Sequence, residues 1–188
     1  MIEAADVLQV VREFDSEGDG EAEKSRELVL ALLTHSTAPF ARTTFTPGHI
    51  TCAGVVLSAD GGSVLLVHHR RLNRWLLPGG HVELEDDSAA DAARREVTEE
   101  TGAVLEPLAA ALVGIDVHPI PPHKAEPLHL HHDLIWAFQA SSHVTVCSPE
   151  SRAVIWCPLN DSTAYNLPSN VRRGIARAAA RFGRLKKI

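Results

Sequence analysis

Residues 88–102 read SAADAARREVTEETG, and this run constrains the chain more than any other. Ser88 is a favoured N-cap, and Asp91 three positions on gives a capping-box-like start. Alanines fill the next two turns and Gly102 supplies the stop, so the run predicts a helix over 88–101. Glu96, Glu99 and Glu100 stand at i, i+3 and i+4 and share one side of it. At about 100° per residue that side overlaps the small face of Ala89, Ala92 and Ala93, which should pack. Carboxylates gathered at the edge of a packing face repel one another, and partial burial makes this worse. A hard divalent cation resolves the conflict, because Mg²⁺ takes oxygen ligands and shares its shell with substrate phosphates. A solvated acidic face is the ordinary use of an E-x-x-E-E run. Gly79-Gly80 ahead of it, the capped alanine start and Arg95 beside Glu96 favour the metal here.

Taken with the loop before it, the segment 79–102, GGHVELEDDSAADAARREVTEETG, resembles the signature box of the Nudix hydrolases. Arg95, Glu96, Val97, Glu99, Glu100, Gly102 and Ala103 match the second half of that box position by position. The first half departs: counting back from Arg95 puts Asp87 where the box has Glu, and the loop from Gly80 holds one residue more. Asp86 stands where a glycine is usual. The resemblance implies an α+β Nudix fold, a mixed, partly closed sheet sandwiched between helices. It implies Mg²⁺ or Mn²⁺ held by Glu96, Glu99 and Glu100 with a backbone carbonyl of Gly79 or Gly80. It also implies catalytic roles for Glu99 and Glu100, with Arg95 orienting the carboxylates. Asp87 is expected to support the helix glutamates through Arg95 or a bridging water.

At 188 residues the chain suits one domain plus an extension, here placed at 47–188 and 1–46. A net charge of −6 argues against a general nucleic-acid or membrane binder. Cys52, Cys147 and Cys157 lack C-x-x-C spacing and cannot all pair, which suggests reduced thiols and a cytoplasmic setting. No apolar run approaches the ~18 residues of a membrane span, and the acidic N-terminus lacks the basic start of a signal peptide. Charge is uneven: residues 1–34 carry nine acids and three basic residues, and 162–188 carry seven basic residues and no acid. Two oppositely charged surface helices close in space account for this, and a basic tail touching a polyphosphate or RNA is the sharper alternative.

Along the chain, Val7, Val10, Val11 and Phe14 mark a helix over 3–14, and Leu28, Leu32 and Leu33 the inner side of another over 21–34. This hairpin is expected to pack on the box domain or to make a homodimer contact. A linker follows at 35–48. Strands are predicted at 49–58 and 63–69 about the Asp60-Gly61-Gly62 turn, then over one or two stretches of 105–120, at 128–138 and at 152–159. A loop at 161–170 and a terminal helix at 170–182 complete the order. Arg70, Arg71 and Arg74 sit one loop before the box and are candidates for holding substrate phosphate oxygens. His129, His131 and Asp133 share one face of a strand, with His118 ahead of them. That face lines the substrate cleft, with His131 as a substrate contact, or its His-x-His holds a second metal.

The function implied is a metal-dependent hydrolase that cleaves a phosphoanhydride in a nucleoside diphosphate linked to another moiety. Glu100, Glu126, Asp133 and Glu150 are candidates for the general base. Two other classes remain open. One is a nucleotide-binding regulator with a degenerate box, which the Asp and the longer loop favour. The other is an isoprenoid diphosphate isomerase, which the histidines favour but which needs a cysteine near the metal. Trp75, Trp136 and Tyr165 are candidates for stacking a base or for core packing. The box does not choose among diphosphate substrates.

Overall fold

The computed structural model describes residues 2–185. Two helices, α1 (Ala4–Glu13) and α2 (Gly20–His35), precede β1 (Gly48–Leu57), β2 (Ser63–His69), β3 (Arg74–Leu76) and β4 (Gly79–His81). The box helix α3 (Ala89–Thr101) leads to β5 (Ala111–Ile120), β6 (His129–Gln139), β7 (Ser151–Pro158), a 3₁₀ turn (Leu159–Tyr165) and α4 (Ser169–Leu185). The strands form one mixed sheet in the order β3-β2-β1-β6-β5, with β4 also paired to β1 and β7 to β2. This is the expected α+β Nudix fold: a curled mixed sheet between helices, with helices at the N-terminus.

β1 is the axis of the sheet. Every one of its residues is buried, as the continuous apolar run requires of a strand covered on both faces. Its ten residues run parallel to β6, from Gly48 beside Leu130 to Leu57 beside Gln139. Gly48 permits that approach, since a Cβ there would overlap the Leu130 carbonyl oxygen at 2.0 Å. On one face, Ile50, Cys52 and Val56 join Leu134, Trp136 and Phe138 of β6 under α1, α2 and α3. On the other, Ala53, Val55 and Leu57 join Ile135 and Ala137 under Val171, Ile175, Ala178 and Phe182 of α4.

The N-terminal hairpin is part of the first of these cores. Val7, Val11, Phe14, Val29, Leu32 and Leu33 pack in the same cluster as Val97 of α3. Leu28, expected to face in, is 49% exposed. It lies one position short of the Val29, Leu32 and Leu33 stripe, so the helical period turns it outward. Leu105 makes only an isolated bridge to Ala140, and the strand proper begins at Ala111. The expected loop over 161–170 is largely 3₁₀ turn, which ends at Asn166 in a left-handed conformation.

Candidate active site

α3 forms for the local reasons its residues give. Ser88 accepts the Asp91 N–H at 3.1 Å and donates its hydroxyl to the Asp91 carboxylate at 2.7 Å, and Gly102 closes the helix in the left-handed region. Ala89, Ala92, Ala93 and Val97 are buried, which fixes where the three glutamates emerge. Glu100 is 8% exposed, whereas the Glu99 side chain is 60% exposed.

β4 meets this helix edge-on. Gly80 stands opposite Cys52 of β1, and a Cβ on it would lie 2.6 Å from the Glu96 carboxylate. Only glycine lets that carboxylate rest against the backbone. Glu100 reaches the adjoining residue, where the Gly79 N–H donates to its Oε2 at 3.0 Å. Gly79, Gly80, Glu96 and Glu100 thus form one oxygen-rich cradle.

Arg95 holds the cradle in place. Its Nη1 donates to Glu96 Oε1 at 3.0 Å and to Glu99 Oε2 at 3.1 Å, and its Nη2 to the His81 carbonyl at 2.8 Å. Nε and Nη2 also grip a loop carboxylate, each at 3.0 Å, and that carboxylate belongs to Asp86. Arg95 is therefore braced by Asp86, one position before the Asp87 expected to support the helix glutamates. The extra residue in the loop shifts the acid facing Arg95 by one position, and the Glu83 N–H, donating to Asp86 at 2.8 Å, fixes the new register.

Electrostatics follow from burial. Burial pushes the Glu100 carboxyl up to about 7, against the bond from Gly79 and with the neighbouring charges of Glu96 and Glu150 adding to it. Burial also raises Glu96, although Arg95 opposes it. Burial would raise Asp86 too, yet the Arg95 and Glu83 contacts hold it below its usual range. Two neighbouring acids whose charged forms are disfavoured, set against the Gly79-Gly80 backbone, fit a hard divalent cation.

The other predicted residues divide. Arg70 is occupied elsewhere: its Nε donates to the Pro149 carbonyl at 3.0 Å and its Nη2 to that of Ser151 at 3.1 Å, tying down the entry to β7. Arg71 and Arg74 are exposed, and Arg74 is near enough to His118 to oppose its protonation. Among the acids considered as bases, Glu126 is paired with Arg42 at 2.9 Å and Asp133 accepts from Thr51, while Glu150 bears on Glu100. Trp136 is buried in the core, whereas Trp75 and Tyr165 meet edge to face at 5.4 Å.

Sequence reading found part of a further grouping, His118, His129 and His131, and missed His49 and His81. Sheet register sets His49 of β1 beside His131 of β6, His118 of β5 opposite His131, and His81 of β4 opposite Thr51. Ring centroids of His49, His81, His129 and His131 lie 4.9–5.2 Å apart in five pairs, and His118 is 5.8 Å from His131. Burial and the surrounding imidazoles drive His131 down to about 2, and burial takes His81 to about 4. Burial opposes charge on His118 as well, but Asp116, 2.8 Å from its Nδ1, raises it. The three-cysteine inventory adds no thiol to this group, for Cys52 alternates to the opposite sheet face, Cys157 lies in the α4 core and Cys147 is exposed.

The chain thus combines a curled mixed sheet with a capped, glutamate-bearing helix laid against a Gly-Gly strand. Residues 48–179 match the NUDIX domain, and the chain belongs to the Nudix family. Its fold and its intact carboxylate helix are those of a Nudix hydrolase. Solved structures agree on the fold. The NUDIX domain of NrtR from Shewanella oneidensis, complexed with ADP ribose, is 22% identical with a TM-score of 0.53, over 71% of this chain and 87% of that one. The dihydroneopterin triphosphate pyrophosphohydrolase of E. coli is 20% identical with a TM-score of 0.53, over 70% and 95%. A NUDIX hydrolase from Nitrosomonas europaea is 22% identical with a TM-score of 0.52, over 70% and 88%. No curated protein matches the chain in sequence. Among the described residues no helix is long and apolar enough to cross a membrane.

Proposed function

We propose that this chain is a metal-dependent pyrophosphohydrolase that cleaves the phosphoanhydride of a nucleoside diphosphate linked to another moiety. The observation that carries this reading is the Glu96 carboxylate resting on the Gly80 backbone, with Glu100 bonded to Gly79 in the same cradle. Glu96, Glu99, Glu100 and the Gly80 carbonyl would hold Mg²⁺ or Mn²⁺. When bound, such an ion neutralises diphosphate oxygens and acidifies water for in-line attack on phosphorus.

The chain's own groups prepare that reaction. Arg95 fixes the direction of Glu96 and Glu99, so neither carboxylate must reorganise as charge develops. One oxygen of Glu100 is taken by Gly79, leaving the other to face the site. Glu150, whose charge adds to the rise of Glu100, is a candidate outside the box to take a proton from the attacking water. Arg71 and Arg74 remain available for phosphate oxygens once Arg70 is committed to the β7 loop. Trp75 and Tyr165 meet edge to face against the α4 core, so core packing accounts for both.

The test is a hydrolysis screen with Mg²⁺ and Mn²⁺ over nucleotide sugars, ADP-ribose, dinucleoside polyphosphates and nucleoside triphosphates, reading phosphate after coupling to a phosphatase. Turnover that Glu99→Gln reduces about 100-fold or more supports the assignment. Mg²⁺-dependent nucleotide binding without turnover would make the chain a ligand-sensing domain instead. The loop acid displaced by one position favours that second reading, and the intact grip of Arg95 on Asp86, Glu96 and Glu99 favours the first.

A further inference from the structure

The histidine group lies on the sheet face away from α3. His49 and Thr51 alternate with Ile50 and Cys52, which pack toward the helix. Two of its members have a fixed tautomer. The Thr44 carbonyl accepts from His49 Nδ1 at 3.0 Å, and the Pro127 carbonyl accepts from His129 Nδ1 at 2.8 Å. A carbonyl cannot donate, so the proton of each neutral ring is on Nδ1 and the lone pair is on Nε2. Backbone carbonyls used in this way orient metal-ligating imidazoles.

The freed lone pair of His49 meets nothing of the protein. His49 is fully buried, and its Nε2 has no hydrogen-bond partner. A buried acceptor left so costs about 1–3 kcal/mol unless something else satisfies it. Ligand nitrogens of His49, His129 and His131 all lie within 4.8 Å of one another. A tetrahedral ion with bonds of about 2.0–2.1 Å needs them about 3.4 Å apart, which small ring rotations provide. A cation held among these nitrogens would satisfy the buried Nε2 of His49.

We infer that His49, His129 and His131 form a second metal site, separate from the carboxylate cradle, for a divalent transition-metal ion of the Zn²⁺ class. Imidazole donors select such ions over Mg²⁺. Three protein ligands leave a fourth position for water or a substrate oxygen. His81 borders the ligands, its ring 5.1 Å from His49 and 5.2 Å from His131. Its carbonyl is held by Arg95. β4 therefore joins the two sites mechanically. The Thr51-bonded Asp133 lies one β6 alternation beyond His131, on the same sheet face.

The experiment is metal binding, so it stands whether or not hydrolysis is found. Protein stripped with chelator is loaded with Zn²⁺, exchanged into excess Mg²⁺ and assayed for metal by mass spectrometry. Co²⁺ loading gives a visible ligand-field spectrum as a second readout. The expected result is one retained Zn²⁺ per chain, unchanged in Glu99→Gln and weakened about 100-fold or more in His131→Asn. Imidazole ¹⁵N spectra of the unmodified protein decide the matter should His131→Asn not fold: Zn²⁺ must shift Nε2 of His49 and of His129 and leave both Nδ1–H groups in place. No retained Zn²⁺, retention that follows Glu99 rather than His131, or unmoved Nε2 signals would each overturn the site.

Discussion

Arg95 is the residue through which most of the site communicates. Its guanidinium bridges the loop, β4 and two of the helix glutamates, so its partner Asp86, only 5% exposed, is worth more than its unmatched place in the box suggests. Asp86→Ala leaves a half-buried guanidinium short of two bonds, and should cost about 3 kcal/mol of stability and about 10–100-fold in activity. Asp87→Ala should change activity less than tenfold; equal losses in denaturant melts and steady-state rates for the two variants would show that the register assigned here is wrong. Spacing identified the Arg95–Glu96–Glu99–Glu100 machinery because a helix makes i, i+3 and i+4 neighbours. It could not fix which of two adjacent aspartates faces Arg95, since a loop carries no period. Glu100 supplies a second residue-level test. Its folded pKa, raised from 4.5 to about 7, means the folded metal-free state holds the proton more tightly than the unfolded chain. Stability is thus unpenalised below about 4.5, falls as pH rises to about 7, and stays lower above. Glu100→Gln removes that fall. In chelator, variant and wild type should melt together near pH 4.5, and the variant should melt higher at about pH 8, while Mg²⁺-dependent hydrolysis drops about 100-fold or more. A variant that melts lower at both pH values would deny that Glu100 is a strained acid.

At the scale of elements, pairings between distant strands account for what local patterns could not. Hairpin β1–β2 was visible from Asp60-Gly61-Gly62, but the parallel alignment of β1 with β6 joins residues about 80 apart. That alignment alone carries His49 to His131 and Thr51 to Asp133, so the histidine site was half legible: the His-x-His of β6 shows in sequence, and its β1 ligand does not. The α1–α2 hairpin shows in sequence as amphipathic helices, but its packing on the box domain and a homodimer contact are equally open there, because a period names a buried face without naming what covers it. Leu32 and Leu28 separate these statements. Leu32, 2% exposed against the shared core, should cost about 2–5 kcal/mol as Leu32→Ala. Leu28→Ala, at an exposed position, should stay within about 0.5 kcal/mol. Urea melts of both variants check the pair, and a large loss for Leu28→Ala in dilute protein would instead place that side chain in an interface.

Across the whole molecule, the uneven charge of the sequence resolves into contact between its two ends. Asp19 pairs with Arg173, and Arg177 donates to Glu17 Oε2 at 3.2 Å, to the Ser16 carbonyl at 2.6 Å and to the Val113 carbonyl at 3.3 Å. The Arg177 guanidinium also sits 5.2 Å from the centre of the Phe14 ring. Two of the arginines that made the C-terminal stretch look like a polyphosphate or RNA arm are thereby spent on the α1–α2 turn. An exposed ion pair would be worth little, but Arg177 is 14% exposed and two of its bonds go to backbone carbonyls. Those bonds are charge-assisted, about 1.5–3 kcal/mol each before the side chain's ordering is counted. Arg177→Ala should therefore destabilise the protein by about 2 kcal/mol, and the loss should persist in high salt, because screening reaches the Glu17 pair far more than the buried carbonyl bonds. Hydrolysis per folded molecule should be unchanged, since the Arg177 bonds go to the α1–α2 turn and β5 rather than to the Arg95 cradle. Thermal melts at low and high salt, run beside the nucleotide assay, read both outcomes. A loss of activity without a loss of stability would mean that the basic C-terminal helix contacts substrate after all.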